Sequence, residues 1–338
     1  METQLSTHED MEVARLAQLF RNCTQSYKFL FFRAILARLI EKDCARIAFS
    51  EILAEMLISA WWPAVVGRLA IGNAAGNDTL TKLVASIGDV VNEKLRQREA
   101  LALALKAVKT ERARGCLRYV PEALLSPWKT SAQFNPLYKV HDDGIELYPE
   151  WKEYLKVNIP IVRGWADGAW LAWVQARNPN IPVTLEKLAP PARHNNLARE
   201  KTFFLQNMLG KPIVCIYTQQ NVCESDLTLD HFLPRSFVGH DRIWNLAPVS
   251  KKVNFSKGAR LPLDGHLDEL IKLHHHVVTA ALGHARKSES TFLDQYCTDL
   301  RLSPEQLSDE RALREAYVGN VLPMLAIAKR MGFPTDWP

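Results

Sequence analysis

The pattern of apolar and polar positions divides the chain into helical stretches and two shorter mixed segments. Residues 8 to about 120 contain few glycines and prolines, and apolar residues such as Leu30 and Ala34 recur at helical spacing. We therefore predict helices there, interrupted by a loop at residues 72–77. Three further stretches are also predicted to be helical, namely residues 151–177, 195–209 and 267–332.

The first mixed segment follows the N-terminal helical region. Residues 137–141 and 145–148 alternate between apolar and polar side chains, and Asp142, Asp143 and Gly144 lie between them. An Asp-Gly pair between two alternating runs is typical of a tight hairpin turn. We predict a β-hairpin here.

The second mixed segment lies at residues 211–262. Residues 228–231 and 243–247 have the pattern of short strands, and residues 234–241 between them are predicted to form a loop. Ser250 is then placed to cap a short helix that ends near Gly258. The segment is thus a strand, a loop, a second strand and a helix.

The fold class predicted from these elements is mainly α with a small α+β insertion. At about 150 residues per domain, a length of 338 residues suggests about two domains. The finer division that we predict has four regions: a helical N-terminal domain at 1–125, a linking region with a β-hairpin and helices at 126–204, the motif with the second hairpin at 205–265, and C-terminal helices at 266–338.

The composition is that of an ordinary folded protein, with 47% hydrophobic and 23% charged residues. These values exclude long disorder and fibrous repeats for most of the chain. The start of the chain lacks a secretory signal, the apolar residues 57–66 are too few to span a membrane, and the six cysteines are scattered. We expect a cytoplasmic protein without a membrane partner.

The net charge of +5 implies no nucleic-acid partner by itself, but its distribution is uneven. Residues 94–118 contain eight basic and two acidic residues, and residues 242–260 contain five basic residues and no acid. The first segment fits either a solvated helix face or a surface for a DNA backbone or a partner. For the second segment we favour phosphate contact.

The second hairpin and its helix bring together residue types that suit phosphodiester hydrolysis. Asp230 offers a carboxylate and Asn254 an amide oxygen, and Mg²⁺ is usually held by one or two such groups with water and phosphate. His231, with an ordinary pKa of about 6.5, can accept a proton from water at neutral pH. A base for water and a cation on the phosphate are the parts that this reaction needs.

These residues resemble a known motif. Asp230 with His231, then Asn245, then Asn254 with Lys257 and Gly258 are similar to the HNH, or ββα-metal, nuclease motif, and most of all to the HNH domain of RNA-guided CRISPR effector nucleases. The likeness covers about 50 residues and none of the helical regions.

The resemblance implies a role for each matching residue. His231 would be the general base, Asp230 and Asn254 would be the ligands of Mg²⁺ or Mn²⁺, and Asn245 would tie the loop to the strand and help to orient the base. Lys257 would contact a DNA phosphate. Three neighbouring basic residues are expected to share that phosphate-binding role: Lys251, Lys252 and Arg260.

The sequence departs from the family pattern at two places. The last motif position is Asn254, whereas many members have His there. Asn254 keeps an oxygen ligand at this position. Many members also carry two cysteine pairs for a structural zinc ion, but here Thr218 stands in place of the partner of Cys215, and Cys223 cannot complete a four-ligand site. We therefore expect no structural zinc.

Other conspicuous residues favour structural roles. His274, His275 and His276 lie on a predicted helix, where adjacent positions point in different directions, so we expect solvated or capping side chains rather than a metal site. Tryptophans occur at 61, 62, 165, 170 and 173, and we interpret them as core or inter-helix packing.

The resemblance supports one main hypothesis about function, and two alternatives stay open. The main hypothesis is a metal-dependent HNH endonuclease that hydrolyses DNA, by nicking or by double-strand cleavage, in bacterial anti-phage defence; the helical additions resemble HNH effectors such as that of the type II Zorya system. The first alternative is a partner-regulated helical binding module whose HNH site is inactive or conditionally active. The second is a restriction or homing endonuclease.

Overall fold

The computed structural model describes residues 11–72, 79–87, 104, 115–130, 133–190, 196–208, 210–284, 286–335 and 337. The chain forms two compact units, residues 1–190 and 191–338. Each unit has its own hydrophobic core. The motif region and the C-terminal helices share the second core. The finer boundaries at residues 125, 204 and 265 stay a prediction.

The N-terminal unit is mostly helical, as the apolar spacing predicts. The α-helices among its described residues are α1 (Val13–Leu16), α2 (Tyr27–Lys42), α3 (Phe49–Trp61), α4 (Thr79–Ile87), α5 (Val120–Leu124), α6 (Pro149–Val157) and α7 (Ile159–Arg177). A π-helical turn, Trp62–Val66, continues α3. Of the eight basic residues in the segment 94–118, only Arg118 lies within the described residues, so the alternatives for that segment stay open.

A three-stranded antiparallel sheet completes this unit. It consists of β1 (Arg46–Ala48), β2 (Tyr138–Val140) and β3 (Gly144–Leu147) in the order β1-β3-β2. The hairpin predicted from the Asp-Gly turn is confirmed as β2 and β3. The sheet also explains Gly144, because a Cβ atom there would lie 2.3 Å from the carbonyl oxygen of Ile47 in β1.

Aromatic side chains fill much of the first core, which confirms the packing role predicted for the tryptophans. Trp61, Trp62 and Trp170 are buried, and Trp165 stacks on Phe20 at a centroid distance of 4.9 Å. The apolar window Phe49–Val66 is the one span among the described residues that is long and apolar enough to cross a membrane. More than half of this window is buried inside the unit, and core helices of folded proteins meet the same criterion.

The C-terminal unit combines helices with a two-stranded sheet. In chain order its elements are α8 (Ala198–Asn207), β4 (Leu227–His231), α9 (Arg235–Val238), β5 (Leu246–Ser250), α10 (Lys251–Lys257), α11 (His266–His284), α12 (Ser290–Leu300) and α13 (Glu310–Arg330). Strands β4 and β5 are antiparallel, with His231 opposite Leu246 and Leu227 opposite Ser250. The fold is therefore mainly α with a small ββα insertion, as predicted.

Two details of the predicted motif differ in the structure. A short helix, α9, lies inside the expected loop, and the segment Ile243–Asn245 forms a 3-10 turn before β5 begins. Two hydrogen bonds connect this turn to the C-terminal helices. The Ile243 backbone N–H donates to Gln295 Oε1 at 2.9 Å, and the Tyr317 hydroxyl donates to the carbonyl oxygen of Trp244 at 2.9 Å.

The histidine run on α11 requires a correction. His274 is not solvated but fully buried, with its Nδ1 atom 2.6 Å from the Tyr296 hydroxyl and its Nε2 atom 3.1 Å from the carbonyl oxygen of Leu246. Burial lowers its pKa to about 3, so the ring is neutral. His275 instead lies on the exposed side, where it contacts the carbonyl oxygen of Ser308. The three side chains indeed point in different directions.

Candidate active site

The strand β4, the strand β5 and the helix α10 bring the motif residues together. Ser250 caps α10 by accepting a hydrogen bond from the backbone N–H of Val253 at 3.2 Å, and Gly258 ends the helix with a φ of +51°. Asp230 and His231 are consecutive in β4, so their side chains leave opposite faces of the strand. Each one has its own set of partners.

His231 is held by a carboxylate that the sequence analysis did not single out. Its Nε2 atom lies 2.8 Å from Asp241 Oδ1, and the Nε atom of Arg235 donates to the same oxygen at 2.8 Å. Burial alone would raise the pKa of Asp241, but the hydrogen bonds from His231 and Arg235 outweigh this effect and hold the pKa well below its ordinary value. Asp241 is therefore an anion beside the imidazole.

This contact fixes the tautomer of the neutral His231 ring. A carboxylate only accepts hydrogen bonds, so Nε2 must carry the proton and Nδ1 must carry the lone pair. The side chain of His231 is partly exposed, whereas that of Asp241 is largely buried. The arrangement leaves Nδ1 as the basic nitrogen of the ring, with an anion at Nε2.

Asp230 is buried in a second network. Its Oδ2 atom accepts a hydrogen bond from the Tyr217 hydroxyl at 2.7 Å and forms an ion pair with Lys257 Nζ at 3.0 Å. Burial, together with the charge of Asp230, raises the pKa of Tyr217 well above its ordinary value, so its hydroxyl stays protonated as a donor. The Lys257 ammonium also donates to the carbonyl oxygen of His231 at 2.6 Å.

The placement of Lys257 differs from what a phosphate contact would require. Its side chain is fully buried, and burial lowers its pKa although the Asp230 carboxylate opposes this effect. The contacts observed for Lys257 are internal and join α10 to β4. The phosphate role implied by the resemblance stays a prediction for this residue.

Asn254 faces β4 from the middle of α10. Its Nδ2 atom donates to the carbonyl oxygen of Leu229 at 3.2 Å and to Thr228 Oγ1 at 3.4 Å. Because the amide nitrogen serves these contacts, the amide oxygen is the atom through which Asn254 can act as a ligand.

Asn245 fastens the loop to the end of β4. Its side-chain oxygen accepts from the backbone N–H of Leu233 at 2.8 Å, and its Nδ2 atom donates to the carbonyl oxygen of Leu233 at 2.9 Å. The carbonyl oxygen of Asn245 also accepts from the N–H of Phe232 at 2.8 Å. These contacts fix the backbone that directly follows His231.

The other predicted phosphate-binding residues lie on the surface beside this site. Lys251, Lys252 and Arg260 are exposed. Lys251 Nζ donates to the carbonyl oxygen of Ser225 at 3.2 Å, and Arg260 donates to that of Ser256 at 2.7 Å. The acceptors in both of these bonds are backbone carbonyl oxygens.

Three functional candidates, Tyr217, Arg235 and Asp241, were missed by the sequence analysis. The sequence did contain a signal for Asp241. This residue lies near the end of a loop that begins just after His231, and such a loop can bring an acid back into contact with a histidine at its start. Arg235 stands in the same loop. Tyr217 had no such signal, since it precedes β4 by ten residues and its contact depends on the tertiary fold.

Comparison with known proteins gives one match. Residues 215–263 match the family model described as HNH endonuclease. The comparisons with curated proteins and with solved structures give no match. The matched residues contain β4, β5 and α10 and every motif residue described above. The chain therefore carries an HNH endonuclease segment, and this segment is the ββα unit of its C-terminal half.

Proposed function

We propose that the protein is a metal-dependent HNH endonuclease that hydrolyses phosphodiester bonds in DNA. The observation that carries the proposal is the contact between His231 and Asp241 within a segment that matches the HNH endonuclease family. Nuclease chemistry needs a base for the attacking water, and this contact supplies one in a defined tautomer.

His231 is the general base of this proposal. Its Nδ1 atom takes a proton from water, and the Asp241 carboxylate stabilises the imidazolium that forms. Arg235 keeps the carboxylate in place from the other side. Asp241 and Arg235 are thus positioning residues that act through His231.

Asp230 and Asn254 offer the kinds of oxygen atom that a hard divalent cation such as Mg²⁺ or Mn²⁺ binds. Among the described residues, no three His, Cys, Asp or Glu side chains form a cluster that could hold a metal ion. A metal would therefore be held by the Asp230 carboxylate and the Asn254 amide oxygen, with the rest of its ligands from water and phosphate, as is usual for Mg²⁺. When bound, such an ion would offset negative charge on the phosphate and the leaving oxygen.

The substrate assignment depends on the charge of α10 and its surroundings. Lys251, Lys252 and Arg260 give the surface beside the site three exposed cations, which suits a polyanionic backbone. One HNH site cuts one strand, so a monomer would nick DNA. A double-strand break would require a dimer or two successive binding events.

We also propose that the protein acts in the bacterial cytoplasm, in defence against phage. The six free cysteines suit a reducing compartment, where disulfides are rare. The helical unit at residues 1–190 is more than strand cleavage requires, which favours a sensing or partner-binding role for it in a defence system.

One observation favours a second candidate, a conditionally active HNH site that a partner or substrate must switch on. The Asp230 carboxylate is paired with a buried ammonium, and the positive charge of Lys257 disfavours a second cation beside it. In this case the purified protein would bind DNA but cleave it only with its activator.

Cleavage of supercoiled plasmid tests the first candidate. The wild-type protein with Mg²⁺ or Mn²⁺ is expected to convert the plasmid to nicked circles, and both EDTA and His231→Ala are expected to abolish this conversion. Unchanged cutting in EDTA or by His231→Ala would exclude the mechanism. Absence of cutting by the wild-type protein across divalent metals, with DNA binding retained, would favour the second candidate.

A further inference from the structure

One aromatic side chain beside the site is fully in solvent. Phe255, which directly follows Asn254 in α10, is 91% exposed. The C-terminal unit contains six other phenylalanines, and each is at most 5% exposed; they are Phe203, Phe204, Phe232, Phe237, Phe292 and Phe333. Phe255 therefore contributes almost nothing to the core that the other six build.

Two lysines lie on the same side of α10 as Phe255. Lys251 and Lys252 precede it by four and three residues, so they lie on the same side of α10. Both lysines and the nearby Arg260 are exposed, and residues 250–263 contain no acid. The ring thus shares one side of α10 with two exposed lysines, on the helix that also carries Asn254.

We propose that Phe255 is a nucleic-acid contact that stacks on an unpaired or unstacked base of the substrate strand. This inference rests on the proposed function and adds a binding residue to it. The cations bind the backbone of the strand, and the ring binds the flat face of a base attached to that backbone. Interleaved basic and aromatic side chains are the usual composition of such surfaces.

The chemistry of the ring defines what it recognises. Phenylalanine has no hydrogen-bonding group, so it does not read base edges, and every base offers a face for stacking. The contact therefore adds affinity without sequence preference. A single ring is also far too small for a stable protein interface, which buries on the order of 800 Å² per partner.

Binding can be measured without cleavage. Fluorescence anisotropy of a labelled single-stranded oligonucleotide, in EDTA and with the His231→Ala protein, gives the dissociation constant. Adding Phe255→Ala is expected to weaken binding about 10-fold, because the stacking contact is lost. Phe255→Leu keeps an apolar side chain without a ring and is expected to weaken binding nearly as much, whereas Phe255→Trp is expected to retain it.

Salt dependence separates stacking from charge. Lys252→Gln removes a backbone contact, so the slope of log affinity against log salt concentration is expected to fall by about 0.7 for a single strand. Phe255→Ala is expected to lower affinity at every salt concentration and to leave the slope unchanged. A slope that falls as much with Phe255→Ala as with Lys252→Gln would overturn the stacking assignment.

The matched control is Val318→Ala, which removes a partly exposed apolar side chain from α13 in the same unit and is expected to leave affinity unchanged. Melting curves of Phe255→Ala should match those of the parent, since an exposed ring holds nothing in the core. The same binding measurement on a duplex of matched sequence tests whether the stacked base is unpaired. A smaller loss of affinity on duplex than on single strand supports an unpaired base, because a paired base must first be unstacked.

The inference and the proposed function fail in different ways. Equal affinity of Phe255→Ala and its parent for the single strand would overturn the stacking contact even if the wild-type protein cleaves plasmid. Loss of affinity in Phe255→Ala would support the contact even if the wild-type protein cleaves nothing. Absence of any binding by the parent protein would overturn the inference directly.

Discussion

Each of the two units buries an ion pair, and the two pairs differ in what surrounds them. In the N-terminal unit, Arg38 on α2 lies 3.3 Å from Glu55 on α3, and both side chains are almost fully buried. Burial raises the pKa of Glu55 although the charge of Arg38 opposes this effect. Arg38 also pairs with Glu41, so its charge has two acidic partners.

In the C-terminal unit, Lys257 on α10 and Asp230 on β4 form an equally buried pair at 3.0 Å. Here Asp230 has an additional donor, the Tyr217 hydroxyl, and Lys257 an additional acceptor, the carbonyl oxygen of His231. Asn254 contacts the same strand. The pair of Lys257 and Asp230 thus has uncharged hydrogen-bonding partners, whereas the first pair has a second acid, Glu41.

The comparison shows that burial and pairing alone do not identify a functional site. A buried pair is expensive to desolvate in either unit, and it is weak evidence for stability. The pair of Lys257 and Asp230 is distinguished by its neighbours, because it adjoins His231, the proposed general base. The first pair joins two helices and has no such neighbour.

The largest expected effect comes from neutralising the acid of each pair. Asp230→Asn is expected to leave the Lys257 ammonium buried without an anion and to lower the free energy of unfolding of the C-terminal unit by about 3–5 kcal/mol. Glu55→Gln leaves Arg38 with Glu41, so a smaller loss of about 1–3 kcal/mol is expected for the N-terminal unit. Urea denaturation followed by circular dichroism measures both.

Activity then separates the two variants. Per folded molecule, Asp230→Asn is expected to cleave plasmid on the order of 10²-fold more slowly or worse, since the proposed metal ligand is lost. Glu55→Gln should cleave at the wild-type rate under conditions where both proteins are folded. Equal loss of cleavage in the two variants would show that the pair of Lys257 and Asp230 has no specific role in the cleavage reaction.

The next effect concerns the partner of the base. In the proposed mechanism the Asp241 carboxylate stabilises the His231 imidazolium, so Asp241→Asn is expected to lower kcat by about 10²- to 10⁴-fold with little change in KM. The loss in kcat reports the proton transfer, whereas a loss of DNA affinity would raise KM.

Asp299 provides a matched control for this variant. It accepts a hydrogen bond from Trp244 Nε1 at 2.8 Å and pairs with Arg242 at 3.3 Å, in the same unit but without contact to the base. Asp299→Asn is expected to change kcat less than about threefold, as is usual for a structural hydrogen bond away from the chemistry. Similar losses of kcat in both variants would contradict a positioning role for Asp241.

Local patterns predicted most of the local structure. The Asp-Gly turn fixed the first hairpin, and Ser250 and Gly258 marked both ends of α10. Strand β1 was missed because it has only three residues, too few for an alternating pattern to emerge. Its partner β3 lies about 100 residues further along the chain, and no local signal carries such a pairing.

The site was predictable as far as its signals were local. Asp230, His231, Asn245 and Asn254 follow a spacing that can be recognised in sequence. The network around them depends on contacts across 10 to 26 residues, such as Asp241 on His231 and Lys257 on the carbonyl oxygen of His231. A lysine in a basic segment has the same sequence signature whether it faces solvent or a buried carboxylate, so the burial of Lys257 could not be foreseen.

The smallest expected effect tests how the C-terminal helices support the hairpin through His274. The pKa of this buried ring is about 3, below its ordinary value of 6.5, so the fold favours the neutral form. Its contribution to stability is complete above about pH 6.5 and is lost as the pH falls toward 3. The loss amounts to about 2 kcal/mol at pH ~5. His274→Gln cannot titrate, so its unfolding free energy should fall less between pH ~7.5 and pH ~5 than that of the wild-type protein.

The comparison of variant with wild type is needed because His240, with a pKa lowered to about 4 mainly by burial, shifts stability in the same direction. His240 is present in both proteins, and its contribution therefore cancels in the difference between them. Parallel pH profiles for the two proteins would mean that His274 is not held neutral by burial. A flatter profile for His274→Gln would show that α11 supports the start of β5 through an uncharged imidazole.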